Sequence, residues 1–472
     1  MRDKKYSSME KVLKPNIILI IMDVQRATNM HCYGYPKNTT PNIDKIAKES
    51  TVFNKCISPG SWTLPSHASI FTGRYVYGHG VGQSHTYFQR ERYTLTEILK
   101  TSGYNTVGMC NMGHWWCMYG INYYRGFDSF YRVSFDSLED WVENGSEKHM
   151  EIAVNWIKRN NNKPFFMFIN CLEPHRPYYP PSEFRSKFYK DISLEEMKEL
   201  FPDVWHVRMG KVKVSKEMWE IHKKLYDGVT AALDHRLGTL FNFLEDNKLL
   251  DDTMIIITSD HGDEQGEHYP PYVAHSLNLY QPVLHVPLII RYPEIFPENH
   301  RYDGFVQTHD IFPTILEILG IKDTSIWFQN QGRSLLQILN GKQREYALAE
   351  HQRPLHSFDR ILTRDKNYDF RKYDRSLKAL FIGKYKYIWS SNGEDELYNL
   401  EQDPLETRNI IEDNRDLAEE MRRKMLEILR GLEYRNLGDF ITGDDENIKL
   451  LERLGYLRGK SQNYNALLGM TV

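Results

Sequence analysis

Hydroxyl, carboxylate and imidazole side chains that could act on an ester stand at separate places in the sequence. Thr63 comes shortly before Pro65, and proline is favoured in the first turn of a helix. This order predicts that Thr63 stands at a helix N-terminus, where free backbone N–H groups and the helix dipole favour an anionic group. A hydroxyl there could act as a nucleophile, although an ordinary helix start explains the same pattern equally well.

A second set of residues combines oxygen and nitrogen ligands for a metal ion. Asp260 and His261 are adjacent in the sequence, and Asp23 follows an apolar run far upstream. Such a mixed set suits Mn²⁺, Mg²⁺, Ca²⁺ or Zn²⁺ rather than a soft metal. A divalent ion near Thr63 would lower the pKa of its hydroxyl and offset charge on the ester oxygens. Each carboxylate taken alone could instead cap a loop or pair with an arginine.

These residues follow apolar runs that have the length and composition of buried parallel strands. The runs are residues 16–22, 164–170 and 253–258, and each leads directly into polar residues. Helical patterns separate them, at residues 41–49, 150–158 and 226–244. The alternation predicts an α/β fold with a large, mostly parallel sheet flanked by helices. Because ligands bind at the carboxyl ends of strands in such sheets, the polar residues are expected to share one edge.

The motifs and their order resemble the sulfatase family of the alkaline phosphatase superfamily. The family's nucleophile signature is Cys/Ser-x-Pro-Ser-Arg, followed by Thr-Gly-Arg/Lys. It reads here Thr63-Leu64-Pro65-Ser66-His67, then Thr72-Gly73-Arg74. Further matches, in family order over residues 16–409, are the strand ending at Asp23, Glu173-Pro174-His175-Arg176-Pro177-Tyr178, Ser259-Asp260-His261-Gly262, and Glu396 to Pro404. The resemblance implies an alkaline-phosphatase-like fold and hydrolysis of an ester.

The resemblance also implies a metal site and a nucleophile. Asp23, Asp260 and His261 would bind one divalent metal ion, which could be Mn, Ca, Mg or Zn. Thr63 would be a further metal ligand and the nucleophile. Arg74 would stabilise the nucleophile and the charge that develops in the reaction.

Several histidines match positions near the family's substrate. His175 would contact the ester oxygens or protonate the leaving group. His275 stands near a position where many sulfatases have a lysine, which implies substrate contact. His67 replaces the family's usual arginine as a catalytic residue. His79 and His309 would support the site indirectly, although a lone histidine is more often structural.

Two departures from the family pattern bear on the reaction. True sulfatases convert the signature cysteine or serine to formylglycine, which releases sulfate by breaking a C–O bond. Thr63 has no second hydroxyl on its carbon and cannot follow this route. A phosphorylated threonine can instead be hydrolysed by in-line attack of water at phosphorus. In addition, Val24 stands where typical sulfatases have a second aspartate.

These departures lead to one prediction and two alternatives. We predict a metal-dependent hydrolase of sulfate or phosphate esters, with phosphodiesters and phosphonates favoured on chemical grounds. A true sulfuric ester hydrolase of the arylsulfatase type is the first alternative. A non-catalytic protein that binds anions is the second, motivated by the substitutions at Thr63, Val24 and His67. The retained ligands Asp23 and Asp260 argue against it, because anion binding alone needs no such set.

Changes of pattern along the chain predict its division into domains. A catalytic α/β domain is expected over residues 1–340 and an α+β subdomain with a tail over residues 341–472. Residues 183–220 fit no strand and contain a capping box at Ser193 and Glu196, which indicates a helical insertion. This insertion could cover the site or form a surface excursion.

The second part of the chain has its own pattern. β-Prone runs at residues 346–349, 380–389 and 396–400 precede an amphipathic helix at residues 415–432. The tail from about residue 436 is expected to mix helix and loop.

Composition limits the partners and the compartment. The chain of 472 residues has 60 Lys and Arg against 63 Asp and Glu, a formal net charge of −3, which gives no general attraction to nucleic acid or acidic membranes. The apolar run at residues 16–22 is too short to span a bilayer, and no signal-peptide pattern surrounds it. Five cysteines without a CxxC pair favour a reducing compartment. We expect a cytoplasmic protein that acts on a small-molecule ester, without nucleic acid or membrane partners; the sequence is compatible with a homo-oligomer.

Overall fold

A computed structural model describes residues 13–82, 92–111, 123–268 and 274–437 of the chain. These residues form a nine-stranded, mostly parallel sheet and a separate four-stranded antiparallel sheet. The strands of the larger sheet are β1 (Asn16–Met22), β2 (Thr51–Ile57), β3 (Asn105–Asn111), β4 (Ser129–Val133), β5 (Phe165–Cys171), β6 (Thr253–Thr258), β7 (His285–Val286), β8 (Leu288–Arg291) and β9 (His300–Gln307). Those of the smaller sheet are β10 (Ala347–His351), β11 (Leu377–Ile382), β12 (Tyr385–Ser390) and β13 (Glu396–Asn399).

Helices pack on both faces of the larger sheet. They are α1 (Pro41–Lys48), α2 (Thr63–Thr72), α3 (Val76–His79), α4 (Leu95–Thr101), α5 (Leu138–Asn144), α6 (Glu147–Asn160), α7 (Ser182–Phe188), α8 (Leu194–Glu199), α9 (Val204–Arg208), α10 (Lys216–Asp246), α11 (Gln281–Leu284), α12 (Ile311–Ile318), α13 (Thr324–Gln329), α14 (Leu335–Leu339), α15 (Leu355–Leu362) and α16 (Arg415–Leu437). Alternate residues of β1 enter different cores. Leu19 packs in the core that contains α2 and α12, and Ile20 packs in the core that contains α6 and α10. The predicted α/β fold class is confirmed.

The order of strands brings the ends of β1, β2 and β6 to one edge. The sheet runs β4-β3-β5-β1-β6-β8-β2-β7, with β9 beside β2. β1 is parallel to β5 and β6, while β8 is antiparallel to both β6 and β2, so β2 runs in the same direction as β6. Ile21 pairs with Thr258. The same register, continued by two residues, places Asp23 beside Asp260.

The elements predicted from sequence appear with some changes of extent. α10 begins at Lys216 rather than at residue 226, because Trp219, His222 and Leu225 already lie on its buried face. The insertion is helical, with the predicted capping box at Ser193, and consists of α7, α8, α9 and the start of α10. The smaller sheet begins at Ala347; the division of the chain at about residue 340 stays a prediction.

The β-prone run predicted at residues 380–389 is β-structure, but it is divided between two strands. Residues 380–389 do not form a single strand but the greater part of a hairpin, in which Leu380 pairs with Tyr387. Gly383 has a φ of +57°, which turns the chain between β11 and β12. Two-residue hairpin turns require such left-handed backbone angles, and glycine adopts them without steric cost.

Two further findings concern the helices: their hydropathy and the end of the last one. In the described ranges no helix is long and apolar enough to cross a membrane. α16 extends to Leu437, beyond the predicted end at residue 432. The predicted mixed tail therefore starts within α16, and residues 438–472 lie outside the described residues.

Candidate active site

The three predicted metal ligands converge at the carboxyl edge of the larger sheet. Asp23 directly follows β1, and Asp260 and His261 follow β6. One ligand atom from each lies within 4.8 Å of the others, and all three residues are buried. His261 Nε2 is 3.8 Å from Asp23 Oδ1 and 3.3 Å from Asp260 Oδ2. The strands thus bring together residues that lie 237 and 238 positions apart in the sequence (260 − 23 and 261 − 23).

The donor atoms of this cluster fit a divalent cation. Asp260 Oδ1 accepts hydrogen bonds from the backbone N–H of His261 at 2.9 Å and of Val24 at 3.4 Å. Its Oδ2 is buried and accepts no hydrogen bond from the described residues. His261 Nδ1 lies 2.9 Å from the Gly262 carbonyl oxygen, which assigns the proton to Nδ1 and leaves the Nε2 lone pair towards the carboxylates. Two carboxylates and an imidazole lone pair form a set that binds hard to borderline metal ions.

Backbone strain marks the end of β1. Val24 has a φ of +59°, which is unusual for a β-branched residue. Its N–H faces Asp260 Oδ1, and its carbonyl oxygen accepts a hydrogen bond of 2.9 Å from the Tyr226 hydroxyl. These two contacts hold the bend that follows Asp23. Strained residues of this kind concentrate at functional sites.

Thr63 is the first residue of α2 and faces the metal-ligand cluster. Its Oγ1 lies 3.3 Å from His261 Nε2, and the residue is only 5% exposed. The loop before it is tied to the same cluster, because Ser58 Oγ donates a hydrogen bond to the Asp260 carbonyl oxygen. The prediction that Thr63 begins a helix is confirmed. A hydroxyl, a helix N-terminus and a metal-ligand set therefore face the same small region.

His67 lies one helical turn after Thr63 and contacts both parts of the cluster. Its Nδ1 is 2.8 Å from the Thr63 carbonyl oxygen and 3.7 Å from Asp260 Oδ2. Because the carbonyl oxygen can only accept, Nδ1 carries the proton and donates to it. The ring thereby holds the first turn of α2 against Asp260.

His175 and His275 continue the row of imidazoles beyond His261. The ring centres of His275 and His261 are 4.3 Å apart, and those of His175 and His275 are 5.3 Å apart. His275 Nδ1 lies 2.9 Å from Asp263 Oδ1, which fixes the orientation of the ring. Burial lowers the pKa of His275 to about 4, and His261 acts in the same direction, while Asp263 opposes them. His275 is therefore neutral near pH 7.

Comparison with known protein families identifies the chain. A family model described as Sulfatase matches residues 15–321. The chain belongs to the sulfatase family. A second model, described as N-sulphoglucosamine sulphohydrolase, C-terminal, matches residues 275–432.

Individual relatives of this sulfatase-family chain are distant but match most of its length. It is 24% identical to the N-acetylglucosamine-6-O-sulfatase of Bacteroides thetaiotaomicron, over 85% of this chain and 83% of that protein. It is also 24% identical to the arylsulfatase of Clostridium perfringens, over 89% of this chain and 95% of that protein. The solved phosphonate monoester hydrolase of Agrobacterium radiobacter has a similar fold, with a TM-score of 0.70, 19% identity, and coverage of 89% of this chain and 96% of that one.

Arg74 stands at the opposite end of α2 from Thr63. It follows the C-terminal end of α2, and the ten residues of that helix separate it from Thr63 by about 15 Å along the axis. Its guanidinium donates hydrogen bonds to the carbonyl oxygens of Gly78 and Gln329. These contacts secure the far end of α2, and the geometry gives no support to the predicted direct role of Arg74 in the reaction.

His79 packs beside α2, and His309 packs beside the segment that follows it. His79 Nε2 is 3.0 Å from Ser69 Oγ, and its Nδ1 accepts a hydrogen bond from the Val81 N–H. Burial lowers its pKa to about 3. His309 packs against the ring of Tyr75, with ring centres 4.4 Å apart. The structure therefore places both histidines in the packing around α2 and the segment that follows it.

Two further residues near the site were not singled out from the sequence. Asp263 orients His275 and also accepts a hydrogen bond from the Tyr178 hydroxyl. Its position three residues after Asp260, in the same motif, was a usable signal. His351 of β10 lies with its Nδ1 3.0 Å from Ser61 Oγ, two residues before Thr63. No sequence signal indicated this contact, which joins segments 290 residues apart.

Proposed function

We propose that this member of the sulfatase family is a metal-dependent hydrolase of phosphodiesters or phosphonate monoesters, with Thr63 as its nucleophile. The observation that carries the proposal is the 3.3 Å separation between Thr63 Oγ1 and His261 Nε2 inside the buried cluster. An ester bound in contact with the ligand set would meet the hydroxyl at the same time. The N-terminus of α2 would stabilise the negative charge of that ester.

The residues suggest a reaction in two displacements. A divalent ion held by Asp23, Asp260, His261 and Thr63 would lower the pKa of the Thr63 hydroxyl and offset charge on the ester. Thr63 Oγ would attack phosphorus and release its proton to solvent, and the bond from phosphorus to the leaving alcohol oxygen would break. His175 is the proposed donor of the proton that the alcohol takes up. The hydrogen bond from His67 to the Thr63 carbonyl oxygen would hold the nucleophile in place.

The second displacement restores the enzyme. Water would attack phosphorus opposite to Thr63 Oγ and release one proton to solvent, the bond between phosphorus and Thr63 Oγ would break, and Thr63 Oγ would take up one proton from solvent. The products would be a phosphate monoester from a diester, or a free phosphonate from its monoester. Threonine suits this route because phosphorus, and not the threonine carbon, is the atom attacked.

A sulfate ester is the second candidate substrate. It is favoured by the family itself and by the names of the two relatives, an arylsulfatase and an N-acetylglucosamine-6-O-sulfatase. Thr63 cannot become formylglycine, so a sulfated Thr63 would have to be hydrolysed at sulfur. This step is slower than hydrolysis of the phosphorylated residue, which is why we place phosphorus esters first.

The two candidates can be separated with four synthetic esters. Purified protein with added Mn²⁺ would be assayed on an aryl sulfate, an aryl phosphate, a bis-aryl phosphate and an aryl phosphonate. We expect the highest kcat/KM on the diester and the phosphonate, and mass spectrometry of rapidly quenched samples should find a phosphoryl group on the Thr63 peptide. Turnover of the sulfate without turnover of the diester would select the second candidate. Thr63→Ala is the control, since it removes the hydroxyl and leaves the three other ligands.

A further inference from the structure

A cavity separate from the candidate active site lies between the two sheets. It has a volume of about 410 Å³, within the range of roughly 300–1,000 Å³ that is usual for small-molecule sites. Its walls come from β2, β7 and β9 of the larger sheet, and from the turn between β11 and β12 and the loop after β13. The proposed nucleophile and the three candidate metal ligands do not line it. The cavity is therefore a candidate binding site in its own right.

Most of the cavity wall is apolar. Ile57, Phe305 and Leu400 form part of it. Leu405 also lines the cavity and is 46% exposed, so it stands where the cavity opens to solvent. A ligand with an apolar body would remove this leucine and the wall behind it from water, which is favourable.

Arg26 contributes a buried cation to the wall. The residue is only 6% exposed, and the hydrogen bonds of its guanidinium to described residues all come from Nη1. They are donated to Glu267 Oε1 at 2.7 Å and to the Asp263 carbonyl oxygen at 3.4 Å. Nε is buried and has no hydrogen-bond partner among the described residues. A guanidinium that is only partly bonded favours an anionic acceptor beside it.

Gln281 is a second incompletely bonded group in the wall. It is the first residue of α11, and its Oε1 is buried without a hydrogen-bond partner in the described ranges. Rotation of the amide brings its N–H₂ group to the same place, so this side chain can donate to a ligand oxygen or accept from a ligand hydroxyl. The Gln281 backbone N–H donates to Glu406 Oε2, which fixes the residue in position.

Positive charge exceeds negative charge in the cavity wall. Lys55 and Lys384 line the cavity and are exposed, and neither forms an ion pair with a described residue. Together with Arg26 they make three cations. The opposing carboxylates are those of Glu401, in the wall, and of Glu267, which pairs with the guanidinium. The wall and its ion-pair partner thus carry one positive charge more than negative charges.

The other polar residues of the larger sheet in this wall add no net charge. Burial lowers the pKa of His285, which is therefore neutral near pH 7. The side chain of Asn54 accepts a hydrogen bond of 2.9 Å from Arg301 and donates one of 2.7 Å to Asp303. The charges of these two partners offset each other.

Acidic residues behind the wall have partners of their own. Glu406 forms a buried ion pair with Lys386, and Glu264 lies 3.0 Å from His268 Nδ1. The two carboxylates of the metal-ligand cluster do not line the cavity, and the cation proposed for them would offset their charge. The excess positive charge of the wall is therefore left for a ligand.

We propose that this cavity binds a small apolar acid, with one carboxylate and either an aromatic ring or a short alkyl chain. The carboxylate would accept from Arg26 and be attracted by Lys55 and Lys384. The ring or chain would pack against Phe305 and cover Leu405. The site is additional to the proposed ester hydrolysis and needs no metal ion.

Calorimetry in the presence of EDTA tests the binding without any turnover. Each of two acids, 2-naphthoate and octanoate, would be compared with the uncharged alcohol of the same shape, 2-naphthylmethanol and 1-octanol. We expect one acid to bind about 10- to 100-fold more tightly than its alcohol, since a hydrogen bond to a charged group contributes that much. The acid that binds more tightly identifies a ring or a chain as the apolar part. Equal affinity within both pairs, or no binding of either acid at millimolar concentration, would overturn the inference.

A substitution at the exposed leucine places the ligand in this cavity. Leu405→Asp should weaken binding of the acid by about tenfold or more, because it removes apolar contact and adds a like charge. Phe328→Asp is the matched control, since Phe328 is 47% exposed but lies in α13 and does not line the cavity. It should bind the acid as the unmodified protein does. Unchanged affinity in Leu405→Asp, or an equal loss in both variants, would overturn the inference.

A double variant separates the guanidinium from the fold around it. Arg26→Gln combined with Glu267→Gln removes both charges of the ion pair, so no buried carboxylate is left without its partner. The affinity for the acid should fall by about tenfold, while the affinity for the alcohol stays the same. An equal change for acid and alcohol would show that Arg26 does not hold the carboxylate, and would overturn the inference. Failure of the proposed ester hydrolysis would leave all these affinities unchanged.

Discussion

Replacing Asp260 by asparagine should stabilise the metal-free protein and remove its response to metal. Asp260 and Asp23 are 0% and 1% exposed, and their carboxylates face each other within the ligand cluster. The amide of the introduced asparagine would keep the Oδ1 acceptor for the N–H groups of His261 and Val24. Its new N–H₂ group could donate to the lone pair of His261 Nε2. The substitution therefore removes one of two like charges without removing the local hydrogen bonds.

The magnitude follows from the geometry. Two carboxylates whose oxygens are within 4.8 Å of each other repel by about 3 kcal/mol at an effective dielectric constant of about 20. Since neighbouring N–H groups offset part of this repulsion, we expect Asp260→Asn to raise the free energy of unfolding by about 1–3 kcal/mol in the presence of a chelator. A metal ion at 100 times its Kd should raise the free energy of unfolding of the unmodified protein by about 2.7 kcal/mol, and that of the variant by far less.

Urea unfolding with EDTA or with added Mn²⁺ measures both effects. The variant should be the more stable protein with EDTA, and added Mn²⁺ should reduce or reverse the difference because it stabilises mainly the unmodified protein. Asp234→Asn is the matched control, because Asp234 is equally buried but accepts from the N–H groups of Asn42 and Ile43, away from the cluster. It should destabilise the protein under both conditions. If Asp260→Asn is destabilising with EDTA, or gains as much from Mn²⁺ as the unmodified protein, the assignment of these carboxylates to a metal site is refuted.

Three further predictions concern the nucleophile, a buried ion pair and acid stability. Thr63→Ala should abolish ester turnover while Thr63→Ser retains it, measured with the best of the four esters; equal turnover in the alanine variant would exclude Thr63 as the nucleophile. Lys386→Met should lower the free energy of urea unfolding by about 3–5 kcal/mol, because the fully buried Glu406 carboxylate, 2.5 Å away, loses its ion-pair partner. Adding Glu406→Gln should recover part of that loss. An unchanged free energy of unfolding in Lys386→Met would contradict a stabilising ion pair. Burial, together with the charge of Arg176, lowers the pKa of His222 in the folded protein to about 3. Below pH 6.5 the unfolded chain therefore binds more protons at this histidine than the folded protein does, and the free energy of unfolding falls as the pH falls. His222→Gln should reduce the loss of unfolding free energy by up to about 1.4 kcal/mol per pH unit between pH 6.5 and 4. Equal slopes of unfolding free energy against pH in the variant and the unmodified protein would contradict the lowered pKa of His222.

The sequence predicted the parts of the site that local pattern determines. β1 and β6 were predicted because a fully buried strand is a continuous apolar run, and a candidate metal ligand follows each run within two residues. The start of α2 was found because Pro65 favours a first helical turn. Parallel pairing then brings the two strand ends together, as the rule for ligands at the carboxyl edge requires.

The parts that depend on long-range packing were not predicted. Arg208 carries no local signal of its position, because its environment is made by His275 and by Tyr373 of a distant segment. Likewise, β10 brings His351 to Ser61 through contacts between the two sheets. The direct role expected of Arg74 came from family resemblance alone, and the described contacts of its guanidinium are with the carbonyl oxygens of Gly78 and Gln329.

The pairing of β1 with β6 has a consequence for synthesis of the chain on the ribosome. Thr63 and Asp23 emerge early, but Asp260 and His261 follow only after more than half of the polypeptide has been made. The contact between Ser61 and His351 closes later still. A nascent chain therefore contains Thr63 well before it contains all the residues proposed to hold a cation beside it, and the site can assemble only after His261 has been made.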